Sequence, residues 1–202
     1  MQDSRHKPMQ WRIDRTDILY EGFYQLSRVH LQHEKFAGGW SGEVRREMLQ
    51  RGNVGAVLPY DPDEDAIVLV EQFRIGAMHR ETPWLLEVIA GMVEEGEVPQ
   101  DMVRREAREE AGLELDQLEP VMNYLSNPGN TTEEVFVFAA TTSLADAGGL
   151  FGVASEHEDI RVRKFSSDEA IALLDDGALC NAVTVIAMQW FKANRERLRN
   201  RA

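Results

Sequence analysis

Residues 91–113 read GMVEEGEVPQDMVRREAREEAGL, and the organisation of the chain follows from this stretch. Pro99 suits the first turn of a helix, where its missing N–H costs nothing. Gly112 suits the left-handed cap just past a helix end. Between them Val103, Ala107 and Ala111 recur at helical spacing and predict a buried stripe. Glu106, Glu109 and Glu110, at i, i+3 and i+4, share one face. Like charges placed so closely destabilise a helix unless a cation neutralises them. Arg105 adjoins this face and reaches Glu109 at i+4. Hard cations take carboxylate oxygens and bind together with substrate phosphates. The stretch therefore predicts a helix with one face on a core and a carboxylate face for Mg²⁺ or Mn²⁺. The plainer alternative, a solvated acidic face, describes most glutamate runs.

Working outward, GAVLPYD and AIVLVEQFR are apolar strands around the polar turn DPDED, and ETPWLLEVIAG runs directly into Gly91. After the helix, PVMNYLSN and EEVFVFAAT read as strands flanking PGNTT. Residues 145–160, ADAGGLFGVASEHEDI, are Gly-rich and acidic and read as a mobile loop. RVRKF is a short strand. SSDEAIALLDDG starts on a serine cap and stops at Gly177, and NAVTVIAMQWFKANRERLR is a longer helix with a basic last turn. Upstream, residues 11–55 are β-rich, with GGWSG a turn and EVRREML readable as strand or short helix; residues 1–10 read as a tail. The expected architecture is α/β: a mixed β-sheet with helices on both faces, an α/β/α sandwich over residues 53–202, and a small β-rich N-terminal subdomain over 1–52.

The 202 residues carry a net charge of −13. That argues against a duplex nucleic acid, which needs a basic footprint, and against an anionic membrane surface. A phosphate-binding site in so acidic a chain needs metal ions and local arginines. Cys180 is the single cysteine, so no intrachain disulfide forms. No run has signal-peptide or membrane-spanning length, and a cytoplasmic protein is the expectation.

The stretch 91–113 resembles the signature of the Nudix hydrolases, G-x5-E-x7-R-E-U-x-E-E-x-G-U with U aliphatic. Gly91, Glu97, Arg105, Glu106, Ala107, Glu109, Glu110, Gly112 and Leu113 occupy every specified place. Three further features resemble the bacterial ADP-ribose pyrophosphatase branch of that family. They are Pro128 within NPGNTTE, the run GFYQL…EVRREMLQRG…LVEQFRIGA…TPWLLEVIAGM, and EHEDIRV…NAVTVIAMQW. The resemblance covers roughly residues 18–192. It implies the Nudix α/β/α fold and cleavage of ADP-ribose to AMP and ribose 5-phosphate, with two or three Mg²⁺ (or Mn²⁺) ions per site.

Position by position, it implies that the Ala90 carbonyl, Glu106 and Glu110 hold metal, with Glu158 adding a loop carboxylate. Glu156 becomes the general base and Glu109 its rival, while Arg105 holds the signature acids. Phe23 and Tyr24 stack the base, and Arg46 and Glu47 contact the nucleotide. Arg51 and Arg74 lie near phosphate or base, and Met92, Asn127, Pro128, Gly129 and Glu133 line the ribose side. It also implies a homodimer with sites shared between subunits. Asn127 departs from the serine commoner before Pro-Gly, and Phe23 stands where tyrosine also occurs; both bear on ligand preference. In-line attack by a deprotonated water favours a glutamate on a loop that closes over the substrate, although an ordinary exposed acidic loop would read the same way.

Two other functions fit the same motif. One is hydrolysis of another nucleoside diphosphate sugar such as GDP-mannose, since stacking aromatics accept any base. The other is a catalytically silent sensor of ADP-ribose. Sensors of that kind lose signature glutamates and gain a DNA-binding appendage, whereas every signature glutamate is present here and nothing after residue 167 is basic or long enough for a winged helix.

Overall fold

The computed structural model describes residues 9–200 apart from Ala154 and Glu156. Contacts divide the chain into two compact units. One holds the residues up to Gly52 together with Leu125–Glu133, and the other holds Asn53–Tyr124 and the residues from Glu134 onward.

The first unit is a three-stranded antiparallel sheet, β1 (Trp11–Glu21), β2 (Gln25–His33) and β3 (Val44–Gln50), in sequential order. The EVRREML segment is a strand. Arg46 lies opposite Val29 and Glu47 opposite Arg28, and Glu47 accepts a 3.0 Å hydrogen bond from Arg28. Cross-strand pairing of this kind absorbs charges that would otherwise favour a helix. The segment 125–133 docks at the end of β3: Leu49 N donates to Asn130 O, and Arg51 N donates to the Thr132 hydroxyl at 3.1 Å.

The second unit is built on an eight-stranded mixed sheet. Its strands are β4 (Val54–Asp61), β5 (Ala66–Phe73), β6 (Trp84–Glu87), β7 (Ile89–Met92), β8 (Gln117–Leu125), β9 (Glu134–Thr141), β10 (Gly149–Phe151) and β11 (Ile160–Ser166). The order is β10-β11-β5-β4-β9-β8, with β6 against β5 and β7 against β4. Strand β4 runs parallel to β9 and antiparallel to β5 and β7. The Gly-rich segment expected as a loop contains β10, which pairs antiparallel with β11. Glycines at 148 and 149 adopt positive φ and hide an extended Leu150–Phe151 from a composition-based reading.

Side-chain alternation along the strands separates two cores. Ala56, Leu58 and Tyr60 of β4, Ile67 and Leu69 of β5, and Val135 and Val137 of β9 pack with helices α2 (Ser167–Asp175) and α3 (Ala182–Arg199). Val57, Val68, Val70 and Phe138 point to the other face and pack with α1 (Pro99–Ala111). The result is the α/β/α sandwich that the periodicity predicts. Pro99 stands at the start of α1, and Gly112 caps its end at φ 64°. Ser166 starts α2 with a reciprocal bond to Glu169, and the Asn181 side chain caps α3 by accepting from Val183 N. Among the described residues no helix is long and apolar enough to cross a membrane.

Candidate active site

The buried stripe of α1 consists of Met102, Val103, Ala107 and Ala111, and it presses one face of the helix onto the sheet beside β7. Its acids are consequently treated unequally. Glu110 is 3% exposed, and among the described residues its Oε2 accepts a single long bond, 3.4 Å from Ala90 N. Glu106 lies against Gly91, where a Cβ would overlap its carboxylate and displace that side chain from its present place. Glu109 is the outermost of the three, its side chain 40% exposed.

Arg105 is the hub. Its guanidinium meets Glu97 Oε1 at 3.2 Å, Glu106 Oε1 at 2.8 Å and Glu109 Oε2 at 3.0 Å, and a terminal nitrogen donates to Met92 O at 3.4 Å. These partners raise the arginine's pKa above its ordinary value, Glu97 foremost, and hold the Glu97 carboxyl below the usual range. Among the described residues Glu110 forms no ion pair. Burial, with the neighbouring charge of Glu106 next, pushes its pKa up to about 8. Burial likewise raises Glu106, against the opposing pull of Arg105. Glu158 adds repulsion to both, which places its charge in the same neighbourhood. Its Oε2 accepts from Val153 N at 3.1 Å, and Gly152 packs on its Cβ.

These residues fit a divalent cation in donor chemistry and in charge. A buried carboxylate with no cationic partner is costly unless it is protonated or bound to metal, and Glu110 is in that position. The fit does not extend to a preset cage. Among the described residues no three His, Cys, Asp or Glu side chains converge as a ready ligand set, because Glu106 turns to Arg105 and Glu158 to the Val153 amide.

Arg74 follows β5, and its Nε donates to Glu87 Oε2 at 2.8 Å. The charge of Arg74 acts on Glu110 in the sense that opposes burial. Met92 closes β7 opposite Val54. Neither Glu87, 1% exposed, nor Asn181, which donates to its other oxygen, was marked by the signature. The available signal was an acid at the end of the apolar run WLLEV.

In the first unit, Arg51 lies 4.8 Å over the Tyr24 ring and pairs with Glu133 at 2.9 Å. Phe23, 83% exposed, meets Tyr24 edge-on at 4.7 Å. Tyr24 therefore has Arg51 on its face and Phe23 at its edge, and the ring left exposed for stacking is that of Phe23. Asn127 O accepts from Asn130 N and Thr131 N, forming the turn that carries Pro128 and Gly129. Arg46 donates to the backbone carbonyl of Arg45 and Glu47 is held by Arg28. Glu156, the expected base, lies outside the described residues; its neighbour His157 adopts φ 57°.

A helix that presents these acids beside a strand carrying Gly91, within an α/β/α sandwich, defines a fold class that comparison with known proteins bears out. The NUDIX domain pattern matches residues 49–185, and the chain belongs to the Nudix family, whose members are generally dependent on divalent metal. Over 185 residues it is 44% identical to the ADP-ribose pyrophosphatase of Escherichia coli (strain K12), covering 91% of this chain and 88% of that one. The ADP-ribose pyrophosphatase of Haemophilus influenzae is 44% identical over 184 residues, covering 89% and 85%. The GDP-mannose pyrophosphatase of Cronobacter sakazakii is 35% identical over 180 residues, covering 85% and 90%. A crystal structure of an ADP compounds hydrolase superposes with a TM-score of 0.70 at 17% identity, covering 98% of this chain and 99% of that one, a likeness of fold.

Proposed function

We propose that this protein hydrolyses the diphosphate bridge of ADP-ribose, giving AMP and ribose 5-phosphate. The observation that carries the reading is the uncompensated, buried Glu110 beside Glu106 on α1, in a chain 44% identical to curated ADP-ribose pyrophosphatases. The alternative of GDP-mannose follows from the 35% identity to an enzyme of that name.

Ala90 (through its carbonyl), Glu106, Glu110 and Glu158 are the groups that would hold two or three Mg²⁺ or Mn²⁺ ions. When bound, such ions neutralise the diphosphate and lower the pKa of an adjacent water. The protein's own residues supply the rest. Arg105 keeps Glu97, Glu106 and Glu109 from swinging. Arg74 offers its terminal nitrogens to a phosphate oxygen. Glu156 takes the proton of the attacking water as a P–O bond forms, and the bridging P–O bond breaks on the opposite side of that phosphorus. Phe23 and Tyr24 stack on the base. Arg46, Glu47 and Arg51 contact the nucleotide, and Met92, Asn127, Pro128, Gly129 and Glu133 serve the ribose. The test is a substrate panel with Mg²⁺, resolved by chromatography. ADP-ribose is expected to give the highest kcat/KM, with AMP as product; faster GDP-mannose cleavage would move the assignment to that substrate within the same family.

The residues up to 52 are proposed to form a dimerising subdomain and residues 53–202 the hydrolase domain, in a homodimer that shares sites between subunits. The support is β1. It runs 11 residues, is paired among the described residues with β2 alone, and exposes Trp11, Ile13, Ile18 and Tyr20 at 51–68%. An edge strand that exposes apolar side chains recruits another chain unless charges block it, and in β1 the charges are of both signs, Arg12 and Arg15 against Asp14 and Asp17. Light scattering is expected to give twice the chain mass, and Ile13→Lys to shift it to one; a wild-type monomer removes the proposal.

A further inference from the structure

Glu87 is a buried carboxylate to which the hydrolase reading gives no task. It ends β6, is 1% exposed, and sits among apolar strand residues. Both of its oxygens are engaged. Oε2 accepts from Arg74 Nε at 2.8 Å, and Oε1 accepts from Asn181 Nδ2. Asn181 is the cap of α3, its Oδ1 accepting from Val183 N at 3.1 Å. One residue past Glu87, Val88 N donates to the buried Thr184 hydroxyl at 3.0 Å, a second tie between the end of β6 and the first turn of α3. The backbone of Arg74 is fixed as well: its N donates to Pro83 O at 2.9 Å, and its O accepts from Ala77 N at 2.8 Å.

The way Arg74 is held matters. Glu87 takes only the Nε proton. The two terminal nitrogens of Arg74 have no partner among the described residues, and its side chain is 42% exposed. An arginine pinned through Nε keeps its outer donors free and oriented, which suits bidentate recognition of a phosphate. Removing a charge from water is costly, and a buried ion pair is weak as a source of stability, so its retention here fits an orienting task better than a structural one. The charge of Arg74 is felt at Glu110 on α1, less than burial and the neighbouring glutamates are.

We propose that Glu87 is a positioning residue. Braced by the α3 cap Asn181, it holds the Arg74 guanidinium with its outer donors free for a phosphate oxygen of the diphosphate. The inference rests on the hydrolase reading above and adds a residue outside the signature to its machinery.

The test is a double-mutant cycle on the full chain with Mg²⁺, using whichever diphosphate the wild type cuts fastest, so that a different preferred sugar leaves the test intact. Glu87→Gln keeps the shape and an acceptor for Asn181 but loses the charge. It is expected to lower kcat/KM by about 10-fold or more, and Arg74→Ala by about 100-fold, with the same division between KM and kcat in both. The double variant is expected to be no worse than Arg74→Ala. Should Glu87→Gln melt, Asn181→Ser keeps the helix cap while removing the Nδ2 donor and takes its place in the cycle. Losses that multiply in the double variant, or a Glu87 variant that is folded and fully active, overturn the positioning role and leave the hydrolase reading standing. A wild type that cuts no diphosphate overturns the hydrolase reading itself.

Discussion

Glu110→Gln is expected to lower kcat/KM by about 10³-fold or more while making the metal-free protein more stable at pH 8. The two effects have one cause. Burial and the charge of Glu106 raise the Glu110 pKa from its ordinary 4.5 to about 8, so the fold favours its neutral form. A carboxyl raised in this way contributes stability that is fully present below its unfolded value near 4.5 and is lost as pH climbs to about 8. Glu106 is raised too, by burial foremost, and titrates in the same direction. Each pH unit within the Glu110 window is worth up to about 1.4 kcal/mol per proton. Without metal, the wild-type melting temperature should therefore fall between pH 4.5 and 8, and Glu110→Gln should flatten that fall. Mg²⁺ should reverse it, because the ion binds the ionised acids in competition with the proton; its stabilising increment should grow with pH up to about 8. Differential scanning fluorimetry across that range, with EDTA or with Mg²⁺, measures all of this. A wild-type curve insensitive to Mg²⁺ at pH 8, or a Glu110→Gln protein that still turns over normally, would place the metal elsewhere.

This split between Glu110 and its neighbours also marks the limit of what the sequence disclosed. Helix α1 was readable because its signals are local: Pro99 at the start, Gly112 at the end, and alanines and a valine at helical spacing between them. The same spacing places Glu106, Glu109 and Glu110 on one face but is silent on which of them the sheet covers. Burial of Glu110 and exposure of Glu109 depend on where β7 lies beneath α1, a tertiary fact. Strand identities were legible from alternation, whereas the parallel pairing of β4 with β9 joins residues about 80 apart, and no local pattern encodes it. Strand β10 was hidden because glycines that permit positive φ also resemble a flexible linker. Glu87 was hidden for the opposite reason. An acid within an apolar run reads as a break in the pattern, and its value appears only when Arg74, far along one hairpin, and Asn181, at the start of another helix, are seen to meet it.

The assignment of the base yields the second large effect. Glu156→Gln is expected to reduce kcat by about 10²–10⁴-fold with a modest change in KM, since glutamine keeps the size of the side chain but cannot accept the water proton. Glu109→Gln is expected to cost about 10-fold or less. The asymmetry follows from what Glu109 already does. One of its oxygens accepts from Arg105 at 3.0 Å, and that arginine also serves Glu97 and Glu106, so Glu109 acts as part of a clamp on the acidic face. A carboxylate so occupied is poorly placed to swing toward a water. Initial rates of AMP release for both variants, taken across pH, separate the two. If Glu156 is the base, its loss should also remove the acid limb of the kcat profile, while Glu109→Gln keeps that limb in place. The reverse pattern, with normal turnover in Glu156→Gln and a lost acid limb in Glu109→Gln, would transfer proton abstraction to the helix and reduce the loop to a carrier of Glu158.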